Sequence, residues 1–305
     1  MELTVVTVTY NRAHTLNRVY DSLIEQSYKD FEWLIVDDGS TDGTEELVKD
    51  YIKSAWFPVR YYKNSHGGKY AGVNKSYELI RTKYMTSCDS DDAMLPDGLK
   101  TLMELWEKVP QDYYDLTWCV TARCVDSETG KMVGEPFPKN INSLHGKRKL
   151  KVIYETPGEK QSCRKVDILR QYPFPHYDDT TKLVPGNAWV RIDDVYEQYC
   201  SNELTSRYWQ TSPDSMAKSP SKERKRAYYY YCLMMINDYP HWFWFNKGAR
   251  YAYINVSRCG WRGGKTTSEI VHSTRGIGRK ILVVLCMPIS AFYNVFLDKN
   301  RRGIH

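Results

Sequence analysis

The spacing of apolar residues changes several times within the first hundred positions. Leu3–Thr9 (LTVVTVT) is a β-branched run of the kind that a buried strand carries. From His14 to Gln26 the apolar residues Leu16, Val19, Tyr20, Leu23 and Ile24 fall at helical spacing. Phe31–Asp37 (FEWLIVD) returns to strand character. GTEELVKDYI after it predicts a helix, with Thr41 as its expected N-cap and acidic residues in the first turn. VRYYKN predicts a third strand, the glycine-rich turn HGGK leads into a helix over AGVNKSYELI, and KYMTSC predicts a fourth strand. LPDGLKTLMELWEKV is expected to be helical, with Pro96 near its start. Strand and helix alternating at this spacing predict an α/β fold, a mostly parallel central sheet with flanking helices.

Beyond Leu116 the pattern loosens. DLTWCVTARCVDSETGKMV reads as two strands turning at Asp126–Gly130, and 136–151 as a basic loop with a short helix. CRKVDILRQYPFP reads as a strand or short helix, GNAWVRIDDVYEQYC as a longer helix and ELTSRYWQ as a strand. TSPDSMAKSPSKERKR is a polar connector. AYYYYCLMMINDYPHWFWFN and KGARYAYINVSRCGW predict helices broken near Pro240, which makes 211–305 a helical C-terminal extension. Within it, 281–297 (ILVVLCMPISAFYNVFL) is apolar and bracketed by RGIGRK and DKNRR. As a helix it would be about 26 Å long, short of the ~20 residues of a usual span. Pro288, Ser290 and Asn294 weaken it further as a crossing. Basic flanks around an apolar stretch favour a helix lying in a membrane interface over a C-terminal core or dimer helix.

Composition narrows the classes. The 305 residues suffice for one large domain or two modest ones. Twenty-five tyrosines and nine tryptophans fit an aromatic-lined cleft or interface as well as ordinary aromatic packing. The net charge of +6 is concentrated in Lys139–Lys151, Ser221–Arg226 and the C-terminus, which suits anionic lipid or phosphorylated substrates. No nucleic-acid-binding signature accompanies these patches, so no nucleic-acid partner is expected. Eight cysteines without metal-ligand or scaffold spacing predict reduced thiols in a cytosolic compartment. MELTVVTVTYNR has no basic leader or cleavage site, so a signal peptide is not expected.

In parallel sheets ligands bind at the carboxyl ends of the strands. Here TYNR follows the first strand, DDGS the second, NSHGGK the third and DSDD the fourth, so four polar clusters should meet on one edge. A turn carrying Asp89, Ser90, Asp91 and Asp92 brings carboxylates together that repel and raise one another's pKa. A divalent cation resolves this, and oxygen ligands fit Mg²⁺ or Mn²⁺; an acidic turn capping a helix is the plainer alternative. Asp37 and Asp38, before the turn glycine Gly39, can accept from a base N–H and a ribose hydroxyl, or can simply form a turn and cap.

The motifs TYNR, SLIEQSY, FEWLIVDDGSTDGT, HGGKYAGVNKSYE and DSDDAMLPD, in this order, resemble the family 2 glycosyltransferases of the GT-A fold. The resemblance is close over the first 110 residues and holds in outline beyond them. It implies a nucleotide-sugar-binding half (1–112) and an acceptor half (113–210), with a nucleotide-diphospho-sugar donor and a divalent metal. Carried over position by position, Thr9, Tyr10 and Arg12 would border base and ribose, and Asp38 the base N–H. Lys69 would approach the diphosphate, Asp89 with Ser90 beside it the ribose or sugar, and Asp91 and Asp92 the metal. The implied reaction is inverting transfer from a donor, a UDP-sugar by family habit, to a glycan or lipid-linked acceptor in cell-surface polysaccharide synthesis, at the inner face of the membrane. The expected general base departs from the family: relatives often carry Pro-Glu before the W-x-R-I helix, and this chain has Gly186 there. Asp179 and Asp178 are the nearest substitutes, then Asp193 and Asp194, with His176 beside them. The missing Glu also leaves room for a non-catalytic nucleotide-sugar binder that partners an active transferase. A nucleotidyltransferase fits less well, because TYNRAHTL lacks the glycine-rich loop that such enzymes place after the first strand.

Overall fold

The computed structural model describes residues 1–209 and 222–297. The chain divides into two compact units, 1–174 with 190–215 and 175–189 with 216–305. Sequence pattern alone groups 1–210 together, whereas in the structure 175–189 clusters with the C-terminal residues.

The first unit opens as its periodicity predicts. The elements run β1 (Leu3–Thr9), α1 (Leu16–Ile24), β2 (Phe31–Asp37), α2 (Thr44–Ser54), β3 (Val59–Lys63), α3 (Lys69–Leu79) and β4 (Tyr84–Ser87). After β5 (Ala93–Met94), α4 (Gly98–Glu107) and α5 (Gln111–Tyr114) come β6 (Thr117–Asp126), α6 (Gly146–Glu155), β7 (Lys160–Lys165), α7 (Val166–Gln171), α8 (Gly186–Asp193) and β8 (Glu197–Tyr208). The sheet order is β3-β2-β1-β4-β7-β6-β8-β5. β3, β2, β1 and β4 are parallel, with Thr9 opposite Asp37, Asp37 opposite Lys63 and Val6 opposite Ser87. β7 is antiparallel to both β4 and β6, and β8 is parallel to β6. β6 and β8 therefore run in the same sense as β1 to β4, and all six deliver their carboxyl ends to one edge.

The core forms because β1 and β2 are apolar on both faces, as strands covered on both sides must be. Leu3, Val5, Trp33 and Ile35 pack with Leu16, Val19 and Leu23 of α1 and with Val48 and Tyr51 of α2. Tyr20 stacks on Tyr51 with ring centroids 4.0 Å apart. On α3, a Cβ at Gly72 would stand 2.7 Å from Val8 Cγ1, so the missing side chain lets this helix lie close against the sheet.

Three local expectations are corrected. The N-cap of α2 is Gly43 and not Thr41, because Asn11 Oδ1 accepts the Thr41 N–H at 2.8 Å and holds that residue in the preceding loop. Asp42 Oδ1 then accepts both the amide (3.1 Å) and the hydroxyl (2.5 Å) of Thr44. Second, only one strand forms in 117–133. Asp126 Oδ1 accepts the Thr129 N–H and closes a turn, after which Met132 contributes a single bridge to Val125. Third, the helix begun at Gly186 ends at Asp193, and its expected second half is the start of β8. Gln198, Tyr199 and Cys200 pair with β6, so sheet burial overrides the helical period. The connector expected at 211–226 falls largely outside the described residues.

The second unit is helical, with α9 (Lys222–Asn237), a 3₁₀ turn (Pro240–Trp244), α10 (Lys247–Gly263), α11 (Thr267–Ser273) and α12 (Ile277–Phe292). The expected break near Pro240 is that turn. Asn246 caps α10 by accepting the Ala249 N–H, Gly264 ends it with φ 91°, and Thr266 and Glu269 form a reciprocal capping box on α11. Among the described residues none of the eight cysteines forms a disulfide.

Candidate functional site

The loops after β1 and β2 are sewn together by Asn11, the one non-glycine residue with positive φ (51°) among the described residues. Its backbone N–H donates to Ser40 Oγ (2.8 Å), and Ala13 N–H donates to Asp42 Oδ2 (3.1 Å). Asn tolerates the left-handed region better than most residues, so TYNR can turn sharply and expose Tyr10. That ring is 44% exposed and lies 4.3 Å from the His66 ring, tilted by 33°. Thr9, by contrast, is buried, and its hydroxyl has no hydrogen-bond partner among the described residues.

Of the two aspartates ending β2, Asp37 is structural. Its carboxylate accepts from Ser40 N–H (2.7 Å) and from the Tyr61 hydroxyl (2.5 Å), and burial together with that bond raises the Tyr61 pKa. Asp38 is buried as well. Its two oxygens accept the Gly67 and Gly68 N–H groups, each at 2.8 Å, and His66 Nδ1 lies 2.9 Å from Oδ2. Asp38 therefore shapes the loop before α3, and through it the Tyr10–His66 surface.

The turn after β4 gathers the acids that the sequence singles out. Asp89, Asp91 and Asp92 each offer a carboxylate oxygen within 4.8 Å of the others. Lys69, the first residue of α3, lies 2.7 Å from Asp89 Oδ2. Its ammonium holds the Asp89 pKa below the usual range, and against the effect of burial Asp89 raises the pKa of Lys69. Arg12 stands 3.6 Å from Asp91 Oδ2, and Arg18 donates to the Asp91 carbonyl at 3.1 Å. Among the described residues no cation pairs with Asp92. Burial and the charges of Asp89 and Asp91 push it up to about 8, although the Trp209 N–H donates to its Oδ1 at 3.1 Å. Ser90 is buried in the turn. An all-oxygen set with one carboxylate short of a counter-charge suits a hard divalent cation. The residues present therefore fit Mg²⁺ or Mn²⁺.

Sequence pattern carries no signal for Arg18, whereas His66 lies in the NSHGGK cluster expected at this edge. Arg18 reaches the turn from α1, and its guanidinium stacks over Trp209 at 4.8 Å, two residues that only the fold brings together.

The acids expected to act on the acceptor belong to the second unit. Asp178 is fully exposed, with His176 Nε2 3.5 Å away. Asp179 is held by Lys265 (2.8 Å), by the Tyr230 hydroxyl (2.8 Å) and by Arg226 Nε (3.5 Å). Against partial burial these partners keep its pKa low. A Cβ at Gly186 would stand 2.6 Å from Tyr231 Cε2, so the tyrosine ring takes the space that a side chain there would need. Asp193, in the first unit, is a buried structural acid. It accepts from Trp118 Nε1 (2.8 Å), Gln198 Nε2 (2.8 Å) and the Tyr154 hydroxyl (2.7 Å), which excludes it as a solvent-facing base.

A family model described as "Glycosyl transferase family 2" matches residues 4–164, more than half of the chain. Among curated proteins the chain is similar to the GalNAc(5)-diNAcBac-PP-undecaprenol beta-1,3-glucosyltransferase of Campylobacter jejuni, 31% identical over 107 residues (34% of each chain). It is also similar to the glycosyltransferase GlyA of Streptococcus pneumoniae, 33% identical over 101 residues (33% of this chain, 14% of that one). Each match spans well under half the length of the relative. Among solved structures it is similar to S. aureus TarS 1-349 in complex with UDP-GlcNAc, with a TM-score of 0.63 at 14% identity, covering 100% of this chain and 93% of that one. It is also similar to the mannosyltransferase PcManGT of Pyrobaculum calidifontis in complex with GDP-Man and Mn2+ (TM-score 0.59, 17% identity, 97% and 87% covered). At such identities these likenesses speak to the fold, a GT-A-type sheet with flanking helices.

Proposed function

Because the chain belongs to glycosyl transferase family 2, we propose that it moves a hexosyl group from a nucleotide-diphospho-sugar, preferentially a UDP-sugar, to a hydroxyl of a glycan or lipid-linked acceptor, with inversion. The observation that carries this reading is the meeting of Asp89, Asp91 and Asp92 with Lys69 and Arg12 at the carboxyl edge of the sheet. Relatives lend support: one is named for transfer onto an undecaprenol-linked glycan, and solved neighbours are complexed with UDP-GlcNAc and with GDP-Man and Mn2+.

In this reading Tyr10 and His66 offer partly exposed aromatic rings to the base, and the loop braced by Asp38 borders the nucleoside. Lys69 and Arg12 stand ready to exchange their carboxylate partners for diphosphate oxygens. Asp91 and Asp92, with Asp89 beside them, would hold Mn²⁺ or Mg²⁺. Such an ion supplies Lewis-acid stabilisation of the departing nucleoside diphosphate. The acceptor oxygen bonds to the anomeric carbon as the bond to the diphosphate oxygen breaks, and the hydroxyl proton passes to a carboxylate. Of the two acids expected for that step, Asp178 is the exposed one, whereas Asp179 is engaged by Lys265, Tyr230 and Arg226, which keep its pKa low.

The test is release of nucleoside diphosphate from a panel of UDP- and GDP-sugars with Mn²⁺, with and without a polyprenyl-linked glycan. The reading predicts release that an Asp91→Ala variant loses. Donor binding without any transfer or hydrolysis would favour the non-catalytic binder instead.

A further inference from the structure

We propose that α12 docks this protein on an anionic membrane surface through the face that it turns away from its own unit. The helix inverts the usual amphipathic order. Its packed side carries Val283 and Ser290, and the Ser290 hydroxyl donates to the Ile254 carbonyl of α10 at 2.7 Å. At about 100° per residue, the opposite side carries Ile277, Ile281, Leu285, Ile289 and Phe292. That is the side on which a helix packed against a water-soluble unit presents polar residues. Instead Ile277 is 79% exposed, Leu285 67% and Phe292 53%. Of the most apolar window within Ile277–Val295 only 11% is buried. A continuous apolar stripe of this kind marks an interaction surface.

Charge selects the occupant. Arg275, Arg279 and Lys280 stand at the amino end of the stripe, and Lys299, Arg301 and Arg302 follow it in sequence, against the single acid Asp298. Arg275 is paired with Asp238, and Arg279 donates to the Ile236 and Asn237 carbonyls that end α9. In sequence, cations thus flank the apolar stretch on both sides, so pairing two copies of it brings like charges together whether the helices run parallel or antiparallel. An anionic lipid surface accepts cations at both ends and apolar side chains between them. The helix lies on such a surface and does not cross it, because its Ser290 side is bonded to α10 and holds that side against its own unit. This inference stands apart from the transfer reading, since none of these residues belongs to the acidic turn.

The experiment is sedimentation of the full chain with phosphatidylcholine vesicles, either neutral or containing about a third phosphatidylglycerol. The expected result is binding to the anionic vesicles at least about tenfold tighter than to the neutral ones, weakened by salt. The paired Leu285→Glu and Ile289→Glu substitutions should reduce it about tenfold or more. An unchanged circular dichroism spectrum and thermal midpoint show that the variant is folded, and Ile281→Ser gives a milder second variant. Three results would overturn the proposal: no sedimentation with either vesicle, equal binding to both, or a wild-type dimer in ultracentrifugation that the same substitutions dissolve.

Discussion

Replacing Asp193 by Asn should stabilise the protein at neutral pH, and the magnitude follows from its surroundings. The carboxyl is buried, and burial raises its pKa from 3.8 to about 6 even though Trp118, Gln198 and Tyr154 all donate to it. A folded pKa above the unfolded one means that folding favours the protonated form. The associated stability is fully present below about pH 4 and is lost as pH rises through about 6. A shift of about two units corresponds to roughly 3 kcal/mol. The amide of Asn keeps an oxygen for Trp118 and Gln198 and offers an N–H to the Tyr154 hydroxyl, so the hydrogen bonds survive without the buried charge. Urea denaturation of both proteins between about pH 4 and 7.5 should show curves that coincide at the acid end, with the variant up to about 3 kcal/mol more stable at the neutral end. Nucleoside diphosphate release should be retained, since the residue faces no solvent. A variant that is less stable at neutral pH, or a difference that does not change with pH, would refute the reasoning.

Other substitutions probe other parts of the fold. Asp38→Ala removes the acceptors of the Gly67 and Gly68 N–H groups. It should cost about 1–3 kcal/mol in thermal or urea unfolding and weaken nucleotide binding in titration. Gly186→Ala drives a Cβ against Tyr231 and should cost about 1–3 kcal/mol, a loss that adding Tyr231→Ala partly reverses in denaturation. Asp179, with its lowered pKa, contributes stability that is present above its unfolded value of 3.8 and is lost as pH falls through the folded one. Lys265→Met should therefore move acid unfolding, followed by circular dichroism, to higher pH.

The first four strands and three helices are legible in the sequence because each buries a face with one clear period, and because turn residues punctuate them. The acidic turn is legible for the same reason: it stands where a strand must end, and Asp89, Asp91 and Asp92 do converge there. The roles within the clusters are harder to read. Nothing in VDDGS distinguishes Asp37, which holds Tyr61, from Asp38, which holds the loop before α3, because the partners arrive from 24 to 30 residues further along the chain. The first half of β8 is hidden because VYEQYC carries a helical period while its backbone is claimed by β6, whereas ELTSRYWQ reads as a strand and its residues up to Tyr208 form the second half. Asp179 looks like a free acid in HYDDT, and only the fold brings Lys265 and Arg226 to it.

The central claim is that the turn after β4 forms the metal-dependent end of a nucleotide-sugar site. It is tested most directly by titrating UDP- and GDP-sugars into the wild-type chain and into Asp91→Ala, each with and without Mn²⁺. The account predicts that Mn²⁺ tightens binding of at least one of these donors to the wild type and that Asp91→Ala abolishes this gain. Equal binding with and without the metal, or a gain that survives in Asp91→Ala, would contradict it.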